Sequence, residues 1–118
     1  MSVGTQSRPV DIAHLSRYTG GDAGVNAEVL GLFADQIGEL LVRLDAALAA
    51  RDSKMWHDVN HGLKGGARGV GAFALADLAA AAEACDLAAN PDGASASLRQ
   101  LKTQADAVRS FIRAYLGT

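Results

Sequence analysis

The chain has 118 residues, enough for one domain with a single core. A net charge of −2 leaves no global basic field to recruit nucleic acid, and the lone cysteine, Cys85, excludes an intramolecular disulfide and suits a reducing compartment. Aromatic residues make up only 5%, beside abundant alanine, which favours closely packed helices over a β-sandwich.

Residues 1–8 are polar and glycine-containing and are expected to form a flexible tail, with 9–118 as a single helical domain. No apolar run near the N-terminus suits a signal peptide. The alanine-rich stretch from Phe73 to Ala89 holds Asp77, Glu83 and Asp86, too many charges for an ordinary membrane span. A soluble, cytoplasmic protein without membrane or nucleic-acid partners is expected.

Pro9 can open a short helix carrying Ile12 and Leu15, ending near Thr19-Gly20-Gly21. Asp22 is placed to cap the longest helix, which runs to about Ala50. Its apolar residues Leu30, Phe33, Ile37, Leu41, Leu44 and Leu48 recur every three or four positions and form one core stripe, widened by Val29 and Leu40. Arg51-Asp52-Ser53 makes a tight turn, with Asp52 or Ser53 capping the third helix. After Gly69-Val70-Gly71, read as the turn, a fourth helix is expected to carry Leu75, Leu78, Ala82 and Cys85 inward. Asn90-Pro91-Asp92-Gly93 is a breaker cluster. The last helix, from about Ala94 to Leu116, repeats Leu98, Leu101, Ala105, Val108, Ile112 and Tyr115 at helical spacing. No segment alternates with period two. The predicted fold is all-α, an antiparallel up-down four-helix bundle with a short extra N-terminal helix.

The third helix contains the chemistry. Asn60 to Ala72 holds His61, Lys64, Arg68 and five glycines, at 62, 65, 66, 69 and 71, where glycine costs about 1 kcal/mol relative to alanine in a helix. Projected at 100° per residue from His61, Trp56, Val59, Leu63, Ala67 and Val70 fall within about 60° of the opposite pole. Lys54, His57, Lys64, Gly65 and Arg68 fall within about 60° of His61. The motif is thus a helix with a dry face and a histidine-cation-glycine face. An outward imidazole with a reference pKa near 6.5 is largely neutral and nucleophilic near pH 7. Lys64 and Arg68, one and two turns on, could hold a phosphoryl group or pair with an acidic partner. Gly65 removes a side chain that would crowd an incoming active site.

Blander readings stand beside this one. A solitary outward histidine is by default a surface residue, Lys64 and Arg68 by default a solvated face, and Gly62 and Gly66 suit close helix packing. His57 and His61, four apart, have a spacing that could bind zinc. The HExxH glutamate is absent, however, and a third ligand would have to come from elsewhere, such as His14. No metal is expected. The glycines do not make a phosphate loop, because neither the GxxxxGK[ST] order nor a preceding strand is present. Cys85, on an inward stripe, is read as core.

His61-Gly62-Leu63-Lys64-Gly65, followed by Gly71-Ala72 and then Leu75, Leu78 and Glu83, resembles the histidine-containing phosphotransfer (HPt) domain family. The likeness extends upstream to Ile12 and Leu15, the Gly-Gly-Asp turn and the long helix ending in Ala-Ala-Arg-Asp. It implies a phosphocarrier with no ATP site of its own. In that role His61 takes a phosphoryl group from the aspartate of one receiver domain and passes it to another. By the same resemblance Lys64 assists at the phosphoryl group, Gly65 gives clearance and Arg68 helps dock the receiver. Lys54, His57 and Asp58, on or near the same face, are candidates for partner choice. The required Mg2+ would belong to the receiver, with no cofactor on this chain. Implied partners are response-regulator receivers and a hybrid or chemotaxis-type histidine kinase, with a monomeric, free-standing relay protein favoured. Two alternatives stay open: a phosphotransfer domain fed directly by a chemotaxis-type kinase, and an adaptor that binds a receiver or kinase without being phosphorylated.

Overall fold

The computed structural model describes residues 8–117, so the tail expected over 1–8 lies, apart from Arg8, outside it. Among the described residues there are five helices and no strand: α1 (Ile12–Thr19), α2 (Ala23–Ala50), α3 (Ser53–Val70), α4 (Phe73–Ala84) and α5 (Pro91–Leu116). Helix α3 packs on α2 and α4, α5 packs on α2 and α4, and the backbones of the two diagonal pairs, α2 with α4 and α3 with α5, stay more than 8 Å apart at their Cα atoms. The four long helices therefore close a ring around one core, and short connections at 51–52 and 71–72 force α2, α3 and α4 to alternate in direction. At 28 residues, α2 runs about 42 Å and matches the 44 Å long dimension of the molecule.

Carboxylate and amide caps fix where the helices start. Asp11, Asp22 and Asp52 each accept from the backbone N–H three residues on, at 3.1, 3.0 and 3.0 Å, and Asn90 does the same for Gly93 at 2.9 Å. These caps correct two expectations. Helix α1 begins after Asp11 and not at Pro9, which precedes the cap. Helix α5 begins at Pro91 and not near Ala94, because Asn90 caps it and Pro91 lacks only an N–H that the first turn leaves unused anyway.

Helix α4 also stops early. Cys85 is extended, and the Asp86 carboxylate accepts from Ala88 and Ala89 at 3.0 and 3.1 Å, offering those N–H groups a local turn in place of a helix. The inward stripe of α4 is Leu75, Ala76, Ala79 and Ala82. Leu78 and Cys85, expected inward, are only partly buried, while Leu87 from the turn fills the core. Gly69, expected in the turn, is inside α3, and the turn belongs to Gly71 alone. Gly71 has φ of +87° and its carbonyl accepts from Asp11 N–H at 2.9 Å, which ties the start of α1 to the α3–α4 corner. At the other end of α1, Asn26 of α2 is buried, donates to Ser16 Oγ at 3.2 Å and accepts from the Thr19 hydroxyl.

On α2, Leu30, Phe33, Ile37, Leu40, Leu41 and Leu44 are buried as the spacing predicts, with Leu48 and Val29 at the margin. On α3 the dry face is Trp56, Val59, Leu63, Ala67 and Val70, all 7% exposed or less. Full burial of a side chain such as Val or Leu contributes about 1.5–3 kcal/mol. That stripe outweighs the roughly 4 kcal/mol that four interior glycines cost α3 relative to alanine. Trp56 further pins α3 to α4 by donating from Nε1 to the Ala82 carbonyl at 2.8 Å.

Candidate functional site

With the dry face of α3 sealed into the ring, its opposite face is held outward in the groove between α3 and α4. The His61 side chain is 65% exposed there. Its Nδ1 lies 2.9 Å from Glu83 Oε2, contributed by the last turn of α4. An ionised carboxylate can only accept, so Nδ1 carries the proton and Nε2 keeps the lone pair. Among the described residues Nε2 has no hydrogen-bond partner. The arrangement thus offers the nucleophilic nitrogen to solvent and holds the other in reserve.

Lys64, one turn after His61, donates to the second oxygen of the same carboxylate, Oε1, at 2.6 Å. Glu83 is only 13% exposed and Lys64 21%, so this pair is better shielded than a surface ion pair. The Lys64 hydrogen bond holds the Glu83 carboxyl below its ordinary value; partial burial pushes the other way, and the His61 contact adds to the lowering. Glu83 therefore stays an anion beside the imidazole.

The other predicted residues sit around this triad. Gly65 is one turn from His61, and a Cβ built there would meet nothing within 4 Å, so the surface at this position is open. Gly66 differs, since a Cβ there would stand 3.4 Å from both Phe33 and Gln36 of α2, which makes it the packing glycine. Gly62, considered for packing, has nothing within 4 Å either. Arg68 is exposed in the last turn of α3 and forms no ion pair among the described residues. Lys54 and Asp58 pair with each other at 2.6 Å on the surface, which lowers the Asp58 carboxyl and raises the Lys54 ammonium from their ordinary values. His57 is brought into the site itself, its ring stacked parallel to that of His61 with centroids 6.2 Å apart. Val29, Leu32, Phe33, Gln36, Gly66 and Val70, with the acidic residues Asp35 and Glu39, line a shallow depression between α2 and α3 beside the motif, and Leu32 is 66% exposed on it.

Glu83 is the residue of this cluster that motif reading left without a role. A signal was present: α4 has only two charged residues, Asp77 and Glu83, and Glu83 lies seven after Ala76 and four after Ala79, at the edge of the inward stripe. A carboxylate there is half-turned toward α3.

The model of the Hpt domain family matches residues 28–111, which contain the whole of this site. No curated protein matches the chain. Among solved structures, the fold is similar to that of histidine-containing phosphotransfer protein B (HptB) from Pseudomonas aeruginosa PAO1, with a TM-score of 0.82 over 94% of this chain and 96% of that one. At 24% sequence identity this is a likeness of fold.

Proposed function

Because this chain belongs to the Hpt domain family, we propose that it is a histidine phosphotransfer protein of a multistep phosphorelay, with His61 as the residue that carries the phosphoryl group. The observation that carries this reading is the hydrogen bond from His61 Nδ1 to Glu83, which leaves Nε2 outward with its lone pair.

In the proposed step, the Nε2 lone pair attacks the phosphorus of a receiver's aspartyl phosphate. The new N–P bond forms as the P–O bond to the aspartate breaks, and the carboxylate leaves with the bonding electrons. The Nδ1 proton stays on the ring, which becomes positive, and the Glu83 anion balances that charge. Lys64 uses one N–H on Glu83 and has two left for phosphoryl oxygens. Reversal onto a second aspartate discharges the ring. The chain acts as a phosphocarrier without an ATP site of its own, and the Mg2+ that neutralises the phosphoryl oxygens belongs to the receiver.

Open space at Gly65 and the unpaired Arg68 suit the approach of a receiver whose acidic active site faces His61. Lys54 and Asp58 lie further along the same face, where they can bear on partner choice. Among the described residues no helix is long and apolar enough to cross a membrane. We place the protein in the cytoplasm with its partners and as a monomer.

The test is incubation of the protein with a phosphorylated receiver, and separately with an autophosphorylated kinase domain. Acid-labile, alkali-stable label on wild type and none on His61→Gln is the expected result. Label from the kinase alone would make it a directly phosphorylated domain. Receiver binding without label would make it an adaptor.

A further inference from the structure

His57 stands one turn before His61, its ring inclined by only 9° to that of the phosphoacceptor. Its Nε2 is 3.2 Å from Glu83 Oε2, the same oxygen that serves His61 Nδ1. Its Nδ1 is 3.4 Å from Asp58 Oδ1. A neutral imidazole has a single N–H, so one of its nitrogens must turn a lone pair toward a carboxylate oxygen in this position. The protonated ring is attracted to both. Around it, Lys54 occupies the other oxygen of Asp58, Lys64 holds Oε1 of Glu83, and Arg43 of α2 and the cap residue Asp52 line the same surface depression as Lys54 and Asp58. Of the side-chain types gathered there, only imidazole ordinarily changes charge between pH 5 and 8. The His57 side chain is 57% exposed, so solvent protons reach it directly.

We propose that His57 is a positioning residue that tunes His61 through the shared oxygen of Glu83. In its neutral form His57 leaves the carboxylate to His61. Protonated, it draws on the same oxygen and sets a positive charge beside a ring that itself becomes positive as the N–P bond forms. This rests on the phosphocarrier role of His61 proposed above, and it gives His57 a task inside the site beyond partner contact. Two unit charges at the 6.2 Å ring separation, in a medium as polar as water, repel enough to slow attack about threefold. Salt weakens the effect.

The experiment compares transfer from a saturating phosphorylated receiver to wild type, His57→Gln and His57→Arg at low salt. The ionisation of the receiver is common to all three and cancels in the rate ratios. His57→Arg should match wild type at pH 5.5 and run about threefold slower at pH 8.5, where imidazoles are ordinarily neutral and only the attack feels the added charge; at pH 5.5 the same charge also keeps more of the His61 ring neutral, so His57→Gln should stay close to wild type at both pH values. In parallel, the imidazole 15N shifts of His61 followed against pH should show its midpoint move upward on His57→Gln, by up to the same threefold in proton affinity. That second readout needs no phosphoryl donor. Absence of all transfer would therefore sink the phosphocarrier role while leaving the His57–His61 coupling open to measurement. A His57→Arg rate ratio that does not change with pH, or a His61 midpoint that His57→Gln leaves in place, would overturn the tuning role. So would a change confined to receiver affinity.

Discussion

Replacing Gly65 by alanine separates the stability of α3 from its use. Gly65 is in the interior of a helix, with ordinary helical φ, and a Cβ there meets nothing within 4 Å of the protein itself. Alanine should therefore stabilise the isolated protein by about 1 kcal/mol, the difference in helix propensity. For a domain of this size that raises Tm by about 3–6 °C. Gly62 has the same open surroundings but lies about 100° round the helix from His61. Gly62→Ala should give a similar gain and serves as the control. The two should part company in phosphotransfer. At Gly65 the added methyl stands beside the ring that a receiver must approach, and a displacement of the reacting atoms by about 1 Å can cost up to a hundredfold. Single-turnover transfer from a phosphorylated receiver should fall about tenfold for Gly65→Ala, further for Gly65→Leu, and hardly at all for Gly62→Ala. Thermal melts of all three, run beside the transfer assay, complete the comparison. If Gly65→Ala is stabilised and transfers at the wild-type rate, clearance is not the reason glycine stands there.

Four further outcomes follow from particular residues. Glu83→Gln keeps an acceptor for His61 but removes the charge, and should slow transfer about tenfold, the difference between a charged and a neutral hydrogen bond; stopped-flow transfer with unchanged receiver affinity checks it. Because the folded Glu83 carboxyl lies below its ordinary value, its contribution to stability is present above the ordinary carboxylate range and is lost as pH falls through the lowered value. Urea midpoints of wild type and Glu83→Gln should accordingly differ at pH 7 and converge towards pH 3, and a constant difference would contradict the pairing. Gly71→Ala places a side chain at φ +87° with its Cβ 2.6 Å from the Asp11 carbonyl oxygen, and should cost about 2–4 kcal/mol in urea denaturation. Arg51 caps α2 in the left-handed region at φ 56° without being glycine, so Arg51→Gly should raise stability by about 1 kcal/mol in the same assay.

The bundle was legible because its main stripes are strongly periodic: the α2 leucines and the dry face of α3 are buried at nearly every position that spacing selects. The projection that set His61 opposite Trp56 and Leu63 also places it correctly at the surface. Helix ends were less legible, because they depend on side chains competing locally for backbone N–H groups. Asp86 closes a turn that an alanine-rich pattern would run through, and Asn90 turns an apparent breaker into the first turn of α5. Glu83 shows the same limit at the site. Its sequence position marks it only as a charge in an alanine helix; its role depends on the α3–α4 packing that brings it within 2.9 Å of a ring twenty-two residues away. Helical projection placed His57 on the right face. That it shares an oxygen with His61 required a second helix.

The most direct measurement is the chemical identity of the phosphorylated nitrogen. After transfer from a phosphorylated receiver to 15N-labelled protein, ring-nitrogen NMR should show a single phosphorus-bound nitrogen, Nε2 of His61, with Nδ1 still protonated against Glu83. Phosphate on Nδ1, on His57, or on no histidine at all would contradict the arrangement described.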